Sequence, residues 1–132
     1  MNIQLQNLTK KYGNTIVVEN LNMAVDSGEF LVVLGSSGSG KSTTLNMIAG
    51  LEIPTSGNVC FNEQVVNQVP PGKRDVAMVF QNYALYPHMT AYGNIAFPLK
   101  IRNDTDINLK VVKTAEMFGL GGLLQKHHKE LS

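Results

Sequence analysis

The sequence predicts an α/β protein organised around a phosphate-binding loop. Five apolar residues, 30–34, run directly into the glycine-rich stretch GSSGSGKST at 35–43. Behind this stretch, Leu45, Ile48 and Ala49 recur at helical spacing. A buried strand, a glycine-rich loop and a helix in that order are typical of a site for nucleotide phosphates.

The residue types in the loop fit the chemistry of phosphate binding. Gly35, Gly38 and Gly40 allow backbone conformations that turn successive N–H groups toward an anion. Lys41 supplies a mobile positive charge for the β- and γ-phosphates, and the Ser42 hydroxyl stands where such a loop ligates Mg²⁺. The following helix adds the unpaired donors and the dipole of its N-terminus. The alternative is an ordinary Gly/Ser turn between a strand and a helix.

The composition is that of one soluble globular domain. The chain has 132 residues, of which 43% are hydrophobic and 16% charged, and a net charge of +1. That charge indicates neither a nucleic-acid partner nor a membrane-surface patch. Cys60 is the single cysteine, which fits a reducing compartment. Because we find no membrane-length apolar run and no signal peptide, we expect a cytosolic protein.

The N-terminal half is predicted to contain three strands and one helix. Alternating apolar residues predict two strands in the first 25 residues, joined by a turn at Tyr12-Gly13. A glycine-containing turn then leads into the buried strand before the loop, and Gly50 is placed to end the helix. The predicted elements are strands 1–9, 16–25 and 30–34 and a helix over 41–49.

After the helix, the pattern predicts a hairpin and a second buried strand. The hairpin pairs residues 58–62 with 64–66. The stretch DVAMVF at 75–80 reads as another buried strand, and Gln81 follows at its C-terminal end. Open α/β sheets place ligand-binding residues at that end.

The last third is predicted to be irregular and helical. Residues 82–102 mix aromatic, apolar and turn residues. Asp104 or Thr105 can cap a helix that Gly119 ends. The apolar positions on one face of that helix are Ile107, Val111, Ala115 and Phe118. Residues 121–129 are predicted to form a loop or a short helix.

Four stretches together resemble the ATP-binding subunits of ABC transporters. They are the loop at 35–43, Lys11-Tyr12-Gly13, VFQNYALYPHMT at 79–90 and KELS at 129–132. Within that family the likeness is to sugar and polyol importer ATPases of the maltose type, because of PPGKRDVAMVFQNYALYPHMT at 70–90 and NIAFPLK at 94–100. The resemblance covers essentially the whole chain.

This resemblance implies an α/β fold with a partial core of the P-loop NTPase type. The core would comprise about 31–56 and 71–81. An N-terminal antiparallel β subdomain would comprise about 1–30 and 57–70. An incomplete helical subdomain would occupy about 82–132. All three would belong to one partial nucleotide-binding domain.

The resemblance also implies a role for each site residue. Tyr12 would stack on adenine, Val17 or Val18 would line the edge of the base, and the amide of Gln81 would reach Mg²⁺ and the attacking water. The residues that would hold the triphosphate are Gly35, Ser36, Ser37, Gly38, Ser39, Gly40, Lys41, Ser42 and Thr43. Lys41 and Gln81 would be catalytic, and Ser42 and Gln81 would ligate the metal. Alternatively, Tyr12 is a turn aromatic and Gln81 a polar residue at a strand end.

Partner contacts follow from the same resemblance. The aromatic stretch that begins at Tyr83 and ends at Met89 would face a transporter membrane subunit, or would instead pack within the helical subdomain. Two ATPase subunits would sandwich two ATP molecules. The protein would be cytoplasmic and peripheral on the inner face of the cell membrane.

The family's signature sequence begins Leu-Ser-Gly-Gly-Gln, and this chain ends at Leu131-Ser132. No Asp or Glu here forms the acidic pair that the family places after a later apolar strand, and the downstream histidine is also missing. Because base or water positioning contributes a factor of about 10² to 10⁴, we expect the chain to bind ATP far better than it hydrolyses it. Unpaired strand edges and uncovered apolar side chains should also make the isolated chain marginal in solution.

The leading hypothesis is therefore the ATP-binding subunit, or an N-terminal part of it, of an ABC importer for a sugar, a polyol or a similar solute. The alternative is a catalytically inactive nucleotide-binding module or gene fragment. A P-loop kinase or GTPase is disfavoured, since the chain has no Asn-Lys-x-Asp guanine-reading sequence.

Overall fold

The computed structural model describes residues 1–80 and 84–131. These residues form two compact units, Met1–Met78 and Val79–Ser132. None of the helices in the described part of the chain has the length and apolarity needed to cross a membrane.

The N-terminal unit contains a four-stranded antiparallel sheet. Its strands are β1 (Ile3–Tyr12), β2 (Thr15–Val25), β3 (Ser56–Phe61) and β4 (Gln64–Val65), in the order β2-β1-β3-β4. The first two strands and the hairpin are confirmed. The strand β1 runs three residues beyond its predicted end at residue 9, because the turn to β2 takes only Gly13, at φ +58°, and Asn14.

The core of this unit lies between the sheet and the helix α1 (Lys41–Ala49). Leu5 of β1 stands opposite Met23 of β2 and Val59 of β3. Full burial of an aliphatic, methionine or phenylalanine side chain contributes about 1.5 to 3 kcal/mol. The buried cluster comprises Leu5, Leu8, Val18, Met47, Val59, Phe61 and Val66.

The helix α1 has the bounds that the sequence predicts. Gly50 ends it in the left-handed conformation, at φ +82°, and its N–H bonds to the carbonyls of Asn46 and Met47. A Cβ at this position would lie 2.5 Å from Nε of Arg74. Glycine is therefore needed at residue 50 both for its backbone angle and for the space.

Arg74 links the C-terminal end of α1 to residues 67–69 by hydrogen bonds. Its Nη1 donates to the carbonyls of Met47 at 2.8 Å and Ile48 at 2.9 Å. Its Nε donates to Val69 O at 2.8 Å, and its Nη2 to Asn67 O at 3.2 Å. The residue is only 4% exposed, and burial lowers the pKa of its guanidinium.

The predicted strands at 30–34 and 75–80 are wrong. Residues 30–34 and 76–80 have no regular secondary structure, and Asp75 lies in a turn. Phe30, Leu34 and Val79 are 90%, 86% and 93% exposed. Val76, by contrast, is partly buried and packs against the core. A strand requires a neighbouring strand to pair its N–H and C=O groups, and none of the described strands pairs with either segment.

The C-terminal unit contains α2 (Ala91–Ile101) and α3 (Ile107–Met117), followed by 3₁₀ turns at Gly121–Leu123 and His128–Glu130. Thr90 caps α2, its side chain accepting a hydrogen bond from the N–H of Gly93 at 3.1 Å. The two helices contact each other, and Ala96, Val111 and Ala115 are fully buried.

The predicted cap of α3 is wrong. The residue before the helix is Asp106, in the left-handed conformation and without a side-chain capping bond. Asp104 instead accepts a hydrogen bond from Lys110, and this contact lowers the pKa of Asp104. The predicted apolar face holds for Val111 and Ala115, but Phe118 is 73% exposed because the helix ends at Met117.

Candidate nucleotide-binding site

The glycines of the loop at 35–43 are required for two different reasons. Gly38 and Gly40 both have left-handed backbones, at φ +79° and +86°. A Cβ at Gly38 would meet nothing within 4 Å, whereas one at Gly40 would lie 2.6 Å from the carbonyl oxygen of Val17 and 2.9 Å from Cγ2 of Val18. The loop therefore needs glycine at residue 38 for its backbone angle, and at residue 40 also because β2 passes so close.

The helix α1 begins immediately after Gly40, so its positive end faces the loop. Its first bond runs from the N–H of Thr44 to the carbonyl of Gly40, at 2.8 Å. The N–H groups of the first turn precede this bond and have no acceptor within the helix. They belong to the predicted residues Lys41, Ser42 and Thr43, and the Ser42 side chain is exposed.

Thr44 is a supporting residue that the sequence prediction missed. Its buried hydroxyl donates to the carbonyl of Gly40 at 3.0 Å, beside the backbone bond from the same residue. It therefore fixes the junction between the loop and α1. No pattern distinguishes this threonine from Thr43, because only the packing of α1 on the sheet decides which of the two is buried.

The Lys41 side chain folds over its own loop. Its Nζ donates to the carbonyls of Gly35 at 2.7 Å and Ser36 at 2.6 Å, and to Oγ of Ser39 at 3.2 Å. A turn bond from the N–H of Ser39 to the carbonyl of Ser36, at 3.3 Å, closes the same loop. The ammonium group thus lies within reach of the loop backbone and of the first turn of α1.

A cavity of about 340 Å³ lies between the loop and β2. Its walls include Val17 and Val18 from β2 and Gly35, Ser39 and Lys41 from the loop region. The structure therefore brings three of the predicted phosphate residues and both candidate base-edge valines together. Val17 is half-buried, whereas Val18 is 8% exposed and belongs to the core.

Tyr12 does not line this cavity and lies in a separate polar cluster at the end of β1. Its side chain is 47% exposed, and Nζ of Lys10 lies 4.9 Å from the centroid of its ring. The same Nζ is 2.7 Å from Oε2 of Glu52. Hydrogen bonds from Lys10 and, second, from Tyr12 lower the pKa of the Glu52 carboxyl.

The sequence prediction missed both partners of Tyr12. Lys10 stands two residues before Tyr12 in β1, and residues with that spacing share one face of a strand. This alternation would have pointed to Lys10. Glu52 is distant in the sequence and has no such signal.

Gln81 and Tyr83 lie outside the described residues, so the metal ligand and part of the partner-facing stretch remain predictions. Later in that stretch, Leu85 is 49% exposed. The ring of Tyr86 packs against Phe97 of α2, with 4.7 Å between centroids. Tyr86 thus makes a contact within its own unit.

Comparison with known proteins identifies the family. The family model described as ABC transporter matches residues 18–132. The chain is 48% identical to the sn-glycerol-3-phosphate import ATP-binding protein UgpC of Ruegeria sp. (strain TM1040), and 48% identical to the maltose/maltodextrin import ATP-binding protein MalK of Photorhabdus laumondii. These alignments cover 98% of this chain, which spans 38% and 36% of the length of those curated relatives.

The solved structures agree. A dimeric structure of the ATP-binding cassette MJ0796 bound to ADP and Pi superimposes with a TM-score of 0.84 and 30% identity, covering 98% of this chain and 63% of that one. The likeness confirms the predicted fold class, and the relatives confirm the resemblance to sugar-importer ATP-binding subunits. The chain belongs to the ABC transporter family.

Proposed function

We propose that this chain binds ATP·Mg²⁺ at residues 35–43 and forms part of the ATP-binding subunit of an ABC importer. The observation that carries the proposal is the convergence of the Lys41 ammonium, two left-handed glycines and the N-terminus of α1 on one loop. Left-handed glycines let backbone N–H groups face an anion, and the helix end favours negative charge. The donor set therefore fits a triphosphate.

The role of Lys41 is inferred from this geometry, and the roles of the other residues from the family resemblance. Lys41 would exchange its carbonyl acceptors, Gly35 and Ser36, for phosphate oxygens. The exposed hydroxyl of Ser42 and the amide of Gln81 would hold Mg²⁺, which neutralises the charge of the β- and γ-phosphates. Tyr12 would carry the adenine, and Val17 or Val18 would approach its edge.

The transport role is proposed from the relatives. Two of them are named for import of sn-glycerol-3-phosphate and of maltose or maltodextrin, which supports a sugar, a polyol or a related solute as the cargo. We expect a peripheral protein on the cytoplasmic face of the membrane, paired with a second ATPase subunit. The stretch from Tyr83 to Met89 would contact the membrane subunits.

Equilibrium binding of ATP in the presence of Mg²⁺ tests the site. Because hydrogen bonds to charged groups contribute about 1.5 to 3 kcal/mol, Lys41→Met should weaken ATP binding about tenfold or more. Lys113→Met, which removes an exposed charge from α3, is the matched control and should bind like the wild type. Equal affinity of Lys41→Met and the wild type would contradict the proposal.

Phosphate release from the wild type and from Lys41→Ala tests the catalytic part. Turnover that disappears in Lys41→Ala would identify an ATPase. Binding without turnover would leave the nucleotide-binding role and favour the inactive module.

A further inference from the structure

The ammonium group of Lys10 has three partners at the end of β1. It lies 4.9 Å from the centroid of the Tyr12 ring, 2.7 Å from Oε2 of Glu52, and 2.7 Å from the carbonyl oxygen of Ile53, to which it donates a hydrogen bond. The Lys10 side chain is 12% exposed and that of Glu52 32%. This lysine is therefore held in one place by a ring, a carboxylate and a carbonyl together.

The Tyr12 ring is held through its contact with the Lys10 ammonium. The Lys10 ammonium lies over the ring, and the same ammonium is 2.7 Å from the Glu52 carboxylate. Nearly half of the side chain, 47%, nevertheless remains exposed. An aromatic ring that is fixed before a ligand arrives loses less rotamer entropy on stacking, which favours binding.

Backbone contacts support the cluster, so its geometry does not depend on long side chains alone. The N–H of Thr55 donates to the carbonyl of Thr9 at 2.8 Å, and the N–H of Lys11 donates to the Thr55 hydroxyl at 3.0 Å. These bonds hold β1 against the segment that follows α1. Glu52 lies in that segment, three residues beyond the end of the helix that begins at the phosphate loop.

We propose that Lys10 and Glu52 are positioning residues that hold the ring of Tyr12 for stacking on a nucleobase. The ammonium occupies one face of the ring and leaves the opposite face for the base. Neither Lys10 nor Glu52 touches the nucleotide; both act through Tyr12. The proposal rests on the proposed function, because it takes the phosphates to be bound by the same chain.

The test compares two ligands, ATP and inorganic tripolyphosphate, each with Mg²⁺. Only ATP carries a base, so the ratio of the two affinities reports the stacking contribution. Because a cation–π contact at an exposed site contributes about 0.5 to 1 kcal/mol, Lys10→Met should weaken ATP binding about two- to fivefold and leave tripolyphosphate binding unchanged. Lys11→Met, the adjacent substitution on β1, should change neither affinity.

The same substitutions made in a Tyr12→Ala background distinguish positioning of Tyr12 from a general structural effect. Tyr12→Ala should reduce the ratio of affinities at least as far as Lys10→Met does. Adding Lys10→Met to Tyr12→Ala should then cause no further loss, because the two residues act through one contact. Glu52→Gln, which keeps the shape and removes the charge, should lower the ratio in the wild-type background only.

Three results would overturn the inference. Lys10→Met could leave the ATP affinity unchanged, or it could weaken the binding of ATP and tripolyphosphate equally. It could also weaken ATP binding in the Tyr12→Ala background as much as in the wild type. A wild-type chain that binds tripolyphosphate as tightly as ATP would also overturn it, while the phosphate site stands. A wild-type chain that binds neither ligand would instead overturn the proposed function itself.

Discussion

Gly40 is the residue at which the loop at 35–43, β2 and α1 meet. Gly40→Ala should lower the free energy of unfolding by about 2 to 4 kcal/mol, since it combines a left-handed backbone with a Cβ 2.6 Å from the carbonyl of Val17. Gly38→Ala has the backbone strain without the clash and should lower it by about 1 kcal/mol. Urea unfolding of the two variants measures the difference. Equal effects would mean that β2 moves away from the loop at little energetic cost.

The carboxyl of Glu52 makes the stability of the N-terminal unit depend on pH. Lys10 and Tyr12 lower its pKa from the ordinary value of 4.5, so the folded state binds the proton less readily than the unfolded state. The stabilisation is therefore present above pH 4.5 and is lost as the pH falls through the lowered pKa. Unfolding free energies of the wild type and Glu52→Gln should differ most near neutral pH and converge in acid. A difference that does not change with pH would contradict this.

Single residues of the site differ in how far the sequence predicts them. The glycines and Lys41 act within a short loop, so their spacing in the sequence is enough to predict where they lie. Lys10 and Glu52 act on Tyr12 through a contact between a strand end and the segment after a helix. Glu52 comes close to Lys10 and Tyr12 only in the folded chain, so the sequence has no local signal for it.

Arg74 stabilises α1, the helix that follows the loop at 35–43, by hydrogen bonds to its C-terminal end. Arg74→Met should lower the free energy of unfolding by about 3 kcal/mol, because it leaves the carbonyls of Met47, Ile48 and Val69 without this donor. Lys73→Met, at an exposed neighbouring residue, is the control and should stay within about 0.5 kcal/mol of the wild type. Chemical denaturation followed by circular dichroism gives both values. Unfolding of Arg74→Met at the wild-type midpoint would show that water replaces the guanidinium.

The elements with a strong periodic pattern, namely α1, the first two strands and the hairpin, were predicted well, and two apolar segments predicted as buried strands were not. The helix α1 has its spacing and its terminating Gly50 within ten residues, and both its bounds are correct. The segments 30–34 and 75–80 have the composition of strands, but pairing is not a property of one segment. The predicted cap of α3 failed because the helix begins later, at Ile107, and the Asp104 carboxylate accepts a hydrogen bond from the side chain of Lys110.

At the scale of the molecule, we expect the exposed segment at 30–34 to promote association between chains. All five of its apolar side chains are at least 41% exposed. Contiguous apolar surface of this kind favours association. Phe30→Ser combined with Leu34→Ser should reduce concentration-dependent light scattering more than Leu109→Ser, which removes an isolated exposed side chain from α3. Sharp two-state melting of a wild-type monomer, unaffected by these changes, would contradict the prediction.

The three hydrogen bonds of Lys41 bear on how the loop at 35–43 would recognise an anion. They keep the loop closed on its own lysine, which acts as an internal ligand for the carbonyls of Gly35 and Ser36. At the proposed site, a phosphate would compete with these carbonyls for a single ammonium group, and its affinity would be the difference between two sets of bonds. Removing the lysine should therefore loosen the loop as well as remove a charge, so the loop's shape and its affinity for phosphate depend on the same atom.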